Sequence, residues 1–170
     1  MKYLLLILSL GIAMNTSAQQ LNKKIQDPNH GQEILINLAT KPVLKEFPGF
    51  KERYDMEYPN YKPDSLTLIA LKSLMEDKKI TLVMGTWCGD SKLQVPHFYK
   101  IADELSIPQK NITLICVDGN KKAENGLVDK LDIERVPTFI IYKDGKELGR
   151  IVESPRLSLE KDLLEILSKK

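Results

Sequence analysis

Cysteine is scarce in this chain, and one of its two copies sits in a setting suited to reaction. Thr86-Trp87-Cys88-Gly89-Asp90-Ser91 follows the apolar run Ile80 to Gly85 and precedes apolar residues at helical spacing, Leu93, Phe98, Ile101, Ala102 and Leu105. A cysteine at the opening of a helix faces amides that no helical turn uses, and the positive end of the peptide dipole. Both favour the thiolate, the form that attacks disulfides. Lys92 adds positive charge nearby, whereas Asp90 either opposes ionisation or caps the helix. Ser91 stands where a second thiol would release whatever Cys88 captures. Serine has no such capacity, but it can donate a hydrogen bond to the thiolate.

Other chemistry finds little support. Cys116 lies in Leu114-Ile115-Cys116-Val117, where a buried cysteine behaves as a small hydrophobe. A bridge to Cys88 would need Cα atoms within about 7 Å, which the predicted strand positions do not favour. His30 and His97 are the only histidines, and neither clusters with a cysteine, so no metal site and no cofactor is expected. Phosphate-binding glycine motifs and a nucleophile elbow are absent. A formal net charge of +2 makes no case for nucleic acid. Asn111-Ile112-Thr113 fits a glycosylation triplet, but it opens a predicted strand.

The elements that must position Cys88 follow from periodicity. Pro63-Asp64-Ser65 starts a helix carrying Leu66, Ile69, Ala70, Leu71 and Leu74, closed by Lys78 and Lys79. Residues 80–85 and 111–119 read as buried strands, with the helix after Cys88 between them. That order implies a parallel pair with a right-handed crossover. Lys122 to Ile133 reads as a short helix weakened by Gly126. Residues 137–153 read as a β-hairpin turning at Lys143-Asp144-Gly145. A last amphipathic helix turns Leu159, Leu163, Ile166 and Leu167 inward. Residues 19–62 read as an irregular or helical N-terminal arm, with helical pieces from Ile34 to Phe47 broken near Pro42 and a proline-punctuated aromatic stretch from Phe50 to Tyr61. The domain proper is expected over 63–170.

Residues 1–18 differ from the rest. Lys2, an apolar run of about 11 residues and the exit Thr16-Ser17-Ala18 have the form of a secretory signal peptide cleaved after Ala18. The run is short of the ~20 residues a spanning helix needs, so no transmembrane segment is expected after cleavage. The expected location is periplasmic or secreted, an oxidising setting for cysteine.

Over residues 64–170 the sequence resembles the thioredoxin family. Trp87-Cys88-Gly89-Asp90-Ser91-Lys92 is similar to the family's W-C-G-P-C-K, and Pro96 stands where its active-site helix carries a proline. Val136-Pro137-Thr138 resembles the cis-proline segment that faces the active site, and Phe139 to Gly149 resembles the closing hairpin. The resemblance implies a three-layer α/β/α fold with a mixed sheet. It makes Cys88 and Ser91 the candidate catalytic residues, with Trp87, Gly89, Asp90, Val136, Pro137 and Thr138 around the substrate. Two departures matter. Ser91 replaces the second cysteine. Leu82 and Leu114 stand where many members carry a buried aspartate and an opposing lysine.

The leading reading is an exported thiol-disulfide exchange protein with a single active cysteine, acting by monothiol exchange, isomerisation or mixed-disulfide capture. Its partners would be proteins with cysteines or disulfides and an external thiol reductant. The alternative is a redox-inactive module of the same fold that recognises a protein partner. Peroxide reduction would need an activating arginine, and none lies close to the motif.

Overall fold

The computed structural model describes residues 20–169. The predicted signal peptide and its cleavage point lie outside the described residues. The chain builds β1 (Lys23–Gln26), β2 (Glu33–Ala39), α1 (Lys41–Glu46), α2 (Pro48–Asn60), α3 (Ser65–Leu74), β3 (Lys78–Met84), α4 (Gly89–Glu104), β4 (Ile112–Cys116), β5 (Thr138–Lys143), β6 (Lys146–Val152) and α5 (Leu159–Ser168). One six-stranded mixed sheet has the order β1-β2-β4-β3-β5-β6. β3 and β4 run parallel, Ile80 beside Ile112 through Met84 beside Cys116, with α4 as the crossover. The other pairings are antiparallel. The β5–β6 hairpin turns on Asp144 (φ 50°) and Gly145 (φ 78°), the left-handed pair that a two-residue turn demands.

The sequence alternates across the sheet, and each set of side chains has its own cover. Leu35, Ile80, Leu82, Met84, Leu114, Cys116, Phe139 and Ile141 share one cluster with residues from all five described α-helices, among them Leu44, Phe50, Leu71, Phe98 and Leu163. Val83, Ile115 and Val117 point the other way, where Val128, Val136, Leu127, Leu131 and Ile133 cover them. That second layer is irregular chain from 118 to 137, whose helical content is a single 3₁₀ turn, Glu124–Gly126. The helix expected over 122–133 is absent because Asn125 (φ 55°) and Gly126 (φ 69°) are both left-handed.

Two further expectations are corrected. Residues 33–39, read as helical, form a strand buried on both faces between β1 and β4. A short continuous apolar run fits either element, and the pairing surface decides. The stretch 48–60, read as irregular, is a helix. Pro48 sits in its first turn and Pro59 at its last, where proline breaks little. Phe50, Tyr54 and Tyr58 recur every fourth residue, and this face packs toward α4. Lys78 and Lys79 open β3 instead of closing α3, because the chain reverses at Asp77 (φ 59°).

Side chains cap the starts of α3 and α5. Asp64 caps α3 by accepting from the Thr67 amide at 2.8 Å. Glu160 joins three elements, accepting from the Tyr61 hydroxyl (2.7 Å) and the Asp64 amide (3.1 Å). Burial alone would raise its pKa, but these hydrogen bonds outweigh burial and hold the carboxyl below its ordinary value. At the sheet's rims, Lys23 pairs with Glu124 and Lys24 with Glu33, while β6 carries Lys146, Glu147 and Arg150.

Two outcomes are expected. Leu35 has no exposed surface, so Leu35→Ala should cost about 2–5 kcal/mol in urea unfolding, whereas Leu66→Ala, at a side chain 77% exposed, should cost under ~0.5 kcal/mol. The stability that the Glu160 carboxylate gives is complete above the pKa of the unfolded carboxyl and is lost as pH falls through its depressed folded value. Urea midpoints measured from about pH 7 down to about pH 3 should therefore fall less steeply in Glu160→Gln than in wild type.

Candidate active site

The site is built on the turn that ends β3. The Cys88 amide donates to the Gly85 carbonyl at 3.0 Å, and Lys92 N–H donates back to the Cys88 carbonyl at 3.1 Å. Cys88 is thereby the N-cap residue of α4, in extended conformation (φ −80°, ψ 128°). The first amides of the helix have no carbonyl of their own turn to bond, so they stand beside the sulfur. Asp90 lies in that first turn, but no side chain caps the helix. Gly89 is exposed, and a Cβ there would meet no atom beyond its chain neighbours within 4 Å.

Val136-Pro137-Thr138 lies across from the thiol. Val136–Pro137 is cis, and the Cys88 thiol donates to the Val136 carbonyl at 3.2 Å. Thr138 is buried, and its hydroxyl donates to the Arg135 carbonyl at 2.6 Å, so its side chain serves its own loop. The Pro137 carbonyl is taken by the Glu153 amide at 2.7 Å. Of the three residues, Val136 therefore makes the contact with the sulfur.

Ser91 is placed differently from expectation. It has no exposed surface, and its hydroxyl oxygen accepts from the Gly85 amide at 3.3 Å. The side chain points under the turn, toward the end of β3, and the sulfur's hydrogen-bond partner is Val136 instead. The serine thus braces the backbone that carries Cys88.

Trp87 spans from this turn to the end of β4. Its indole N–H donates to the Val117 carbonyl at 3.0 Å. The ring lies over Gly85 so closely that a Cβ there would come within 2.5 Å of its Cε2 and Nε1, so glycine is the residue that fits. Its face stacks on His30, centroids 4.9 Å apart and planes 16° from parallel. His30 in turn bonds Asp27 through Nδ1 at 2.5 Å. Sequence reasoning missed Gly85, Asp27 and His30. The Asp27-x-x-His30 spacing was visible, but only the pairing of β2 with β4 carries it to the thiol.

The second cysteine is remote in kind and in place. Cys116 lies in the helix-covered face of the sheet, whereas Cys88 packs with the opposite cluster. Both thiols are free, and complete burial pushes that of Cys116 up to about 12. Leu82 and Leu114 are register partners, both buried, so apolar side chains meet where a carboxylate and an amine would otherwise face each other. Among the described residues no group of three or more His, Cys, Asp or Glu is arranged to hold a metal ion.

The chain is similar to several known proteins. Mitochondrial thioredoxin-3 of Saccharomyces cerevisiae is 27% identical over 132 residues, covering 76% of this chain and 99% of that protein. Protein disulfide-isomerase A4 of Bos taurus is 33% identical over 99 residues, covering 54% of this chain and 15% of its own length. Among solved structures, Fasciola hepatica thioredoxin matches 58% of this chain and 85% of its own, with 21% identity and a TM-score of 0.39. The thioredoxin family model matches residues 70–165. A match over more than half of its length makes this chain a member of the thioredoxin family.

Proposed function

We propose that this protein performs thiol-disulfide exchange with Cys88 as its single reactive thiol. The observation that carries the reading is the placement of that sulfur. It is half-exposed at the opening of α4, against the Val136 carbonyl, with Ser91 sealed beneath and Cys116 on the far face of the sheet. Cys88 first loses its proton, aided by the free amides of the helix. The thiolate attacks one sulfur of a substrate disulfide. A Cys88–substrate disulfide forms, the substrate's own bond breaks, and the departing thiolate leaves with the electron pair and takes up a proton. Ser91 has no sulfur with which to reverse this. A second thiolate must do so, from an external small thiol or from a further cysteine of the substrate, since return of the departed thiolate only restores the starting disulfide. The first course ends in reduction or mixed-disulfide exchange, the second in isomerisation.

The polypeptide segment around Val136 is the surface along which an extended substrate lies, since its backbone stands beside the sulfur. Trp87 walls the site on the side of β4. The partners that fit are proteins with cysteines or disulfides, together with an external thiol. Export to an oxidising compartment belongs to this proposal and rests on the pattern of residues 1–18. No helix among the described residues is long and apolar enough to cross a membrane.

The test is capture of a disulfide-bonded peptide, followed by mass. Wild type and Cys116→Ala should form a one-to-one adduct that persists until a small thiol is added. Cys88→Ser should form none. An adduct that maps to Cys116, or no adduct with folded wild type, rejects the reading. Restoring a resolving thiol should change the outcome. In Ser91→Cys the adduct should decay faster, on the order of tenfold or more, because the second thiol attacks intramolecularly, and the free protein should gain a bond between positions 88 and 91.

A further inference from the structure

The exchange chemistry just described uses neither Asp27 nor His30, yet both are held with care. Asp27 is buried, and its carboxylate accepts from the Asn29 amide (3.1 Å) and from His30 Nδ1 (2.5 Å). Burial would raise its pKa, but these bonds outweigh burial and hold it below its ordinary value, so it remains an anion. A carboxylate against Nδ1 keeps a proton on that nitrogen. Gly119 backs the ring, since a Cβ there would come within 2.7 Å of Cε1. The imidazole is thus fixed between Asp27, Gly119 and Trp87, and its side chain stays 41% exposed. Trp87 adjoins Cys88 in the chain, and both pack on the cluster of Val83, Ile115, Val117 and Val136.

We infer that His30 is a positioning residue for Cys88, fixing the Trp87 indole beside the sulfur and setting the charge at the rim of the thiol site. The inference rests on reading Cys88 as the reactive thiol. Its physical content is a change of charge. With a neutral ring, Asp27 and His30 form a net anion near the sulfur, which disfavours a thiolate. A protonated ring makes the pair neutral. The other ionisable groups on the packed elements include Cys88 itself, Asp90 and Lys92 in the first turn of α4, Asp118, Lys121 and Lys122 in the loop of Gly119, and Glu134 and Arg135 before Val136. Asp118 turns its carboxylate to its own loop, accepting from the Asn120 and Lys122 amides.

Because charge is the cause, two variants of one pair should act in opposite directions. His30→Phe keeps the stack and leaves the anion. Asp27→Asn keeps the ring and removes the anion. At a pH near the ordinary imidazole pKa of about 6.5, iodoacetamide alkylation of Cys88, read by peptide mass, should be slower in His30→Phe and faster in Asp27→Asn, each by roughly twofold to tenfold. Trp87 is the sole tryptophan, so its emission reports the same contact. An imidazolium stacked on an indole quenches it, and wild-type emission should titrate with His30 while that of His30→Phe should not. Matching emission profiles in the two proteins, or alkylation rates that stay put or move in the same direction in both variants, overturn the inference. Should wild-type Cys88 capture no disulfide while emission and alkylation behave as stated, the exchange reading fails alone. Should capture occur while the variants change nothing, this inference fails alone.

Discussion

A single glycine amide and carbonyl hold the site together. Gly85 N–H is bonded by Ser91 and Gly85 C=O by the Cys88 amide, so the residue that follows β3 is tied forward to both ends of the first turn of α4. The turn works only because position 85 has no side chain, since the Trp87 indole occupies that space. Cys88 then has nowhere to stand but at the mouth of the helix, with unpaired amides on one side and the Val136 carbonyl on the other. The placement of the sulfur follows from backbone geometry, and Ser91 is part of the scaffold that enforces it.

The sheet keeps its two sulfurs in separate environments. Alternation along β3 and β4 sends Met84 and Cys116 into the helix-covered core, while Val83, Ile115 and Val117 support the irregular layer under Trp87 and Cys88. The dense side, with its aromatic helix α2 on α4, supplies rigidity. The thin side, made of loops and one 3₁₀ turn, leaves the reactive face accessible. The N-terminal residues belong to this arrangement: β2 extends the sheet beside β4, and the loop between β1 and β2 reaches the site.

Sequence periodicity sufficed for β3, α4, β4, the hairpin and α5, because each has a clean pattern bounded by a cap or turn. It failed where two elements share one pattern. Ile34-Leu35-Ile36 is apolar on every face, which suits a buried strand as well as a helix. The prolines at 48 and 59 looked like interruptions, yet each occupies a helix end where it costs little. At the site, Cys88 stood out as a cysteine opening a helix, whereas the Val136–Pro137 segment was picked out by the resemblance to the thioredoxin family. The direction of the Ser91 hydroxyl was not, because it depends on which way the Gly85 amide points. His30 was not legible either, because its neighbour in space is set by a strand pairing and not by its neighbours in the chain.

The rims of the sheet have a consequence for how the chain meets other polypeptides. β1 is only four residues long and carries two lysines, each in an ion pair, and β6 presents lysine, glutamate and arginine. Short, charged borders are poor templates for adding a foreign strand. Exposed strands of other chains therefore find little to extend along either border.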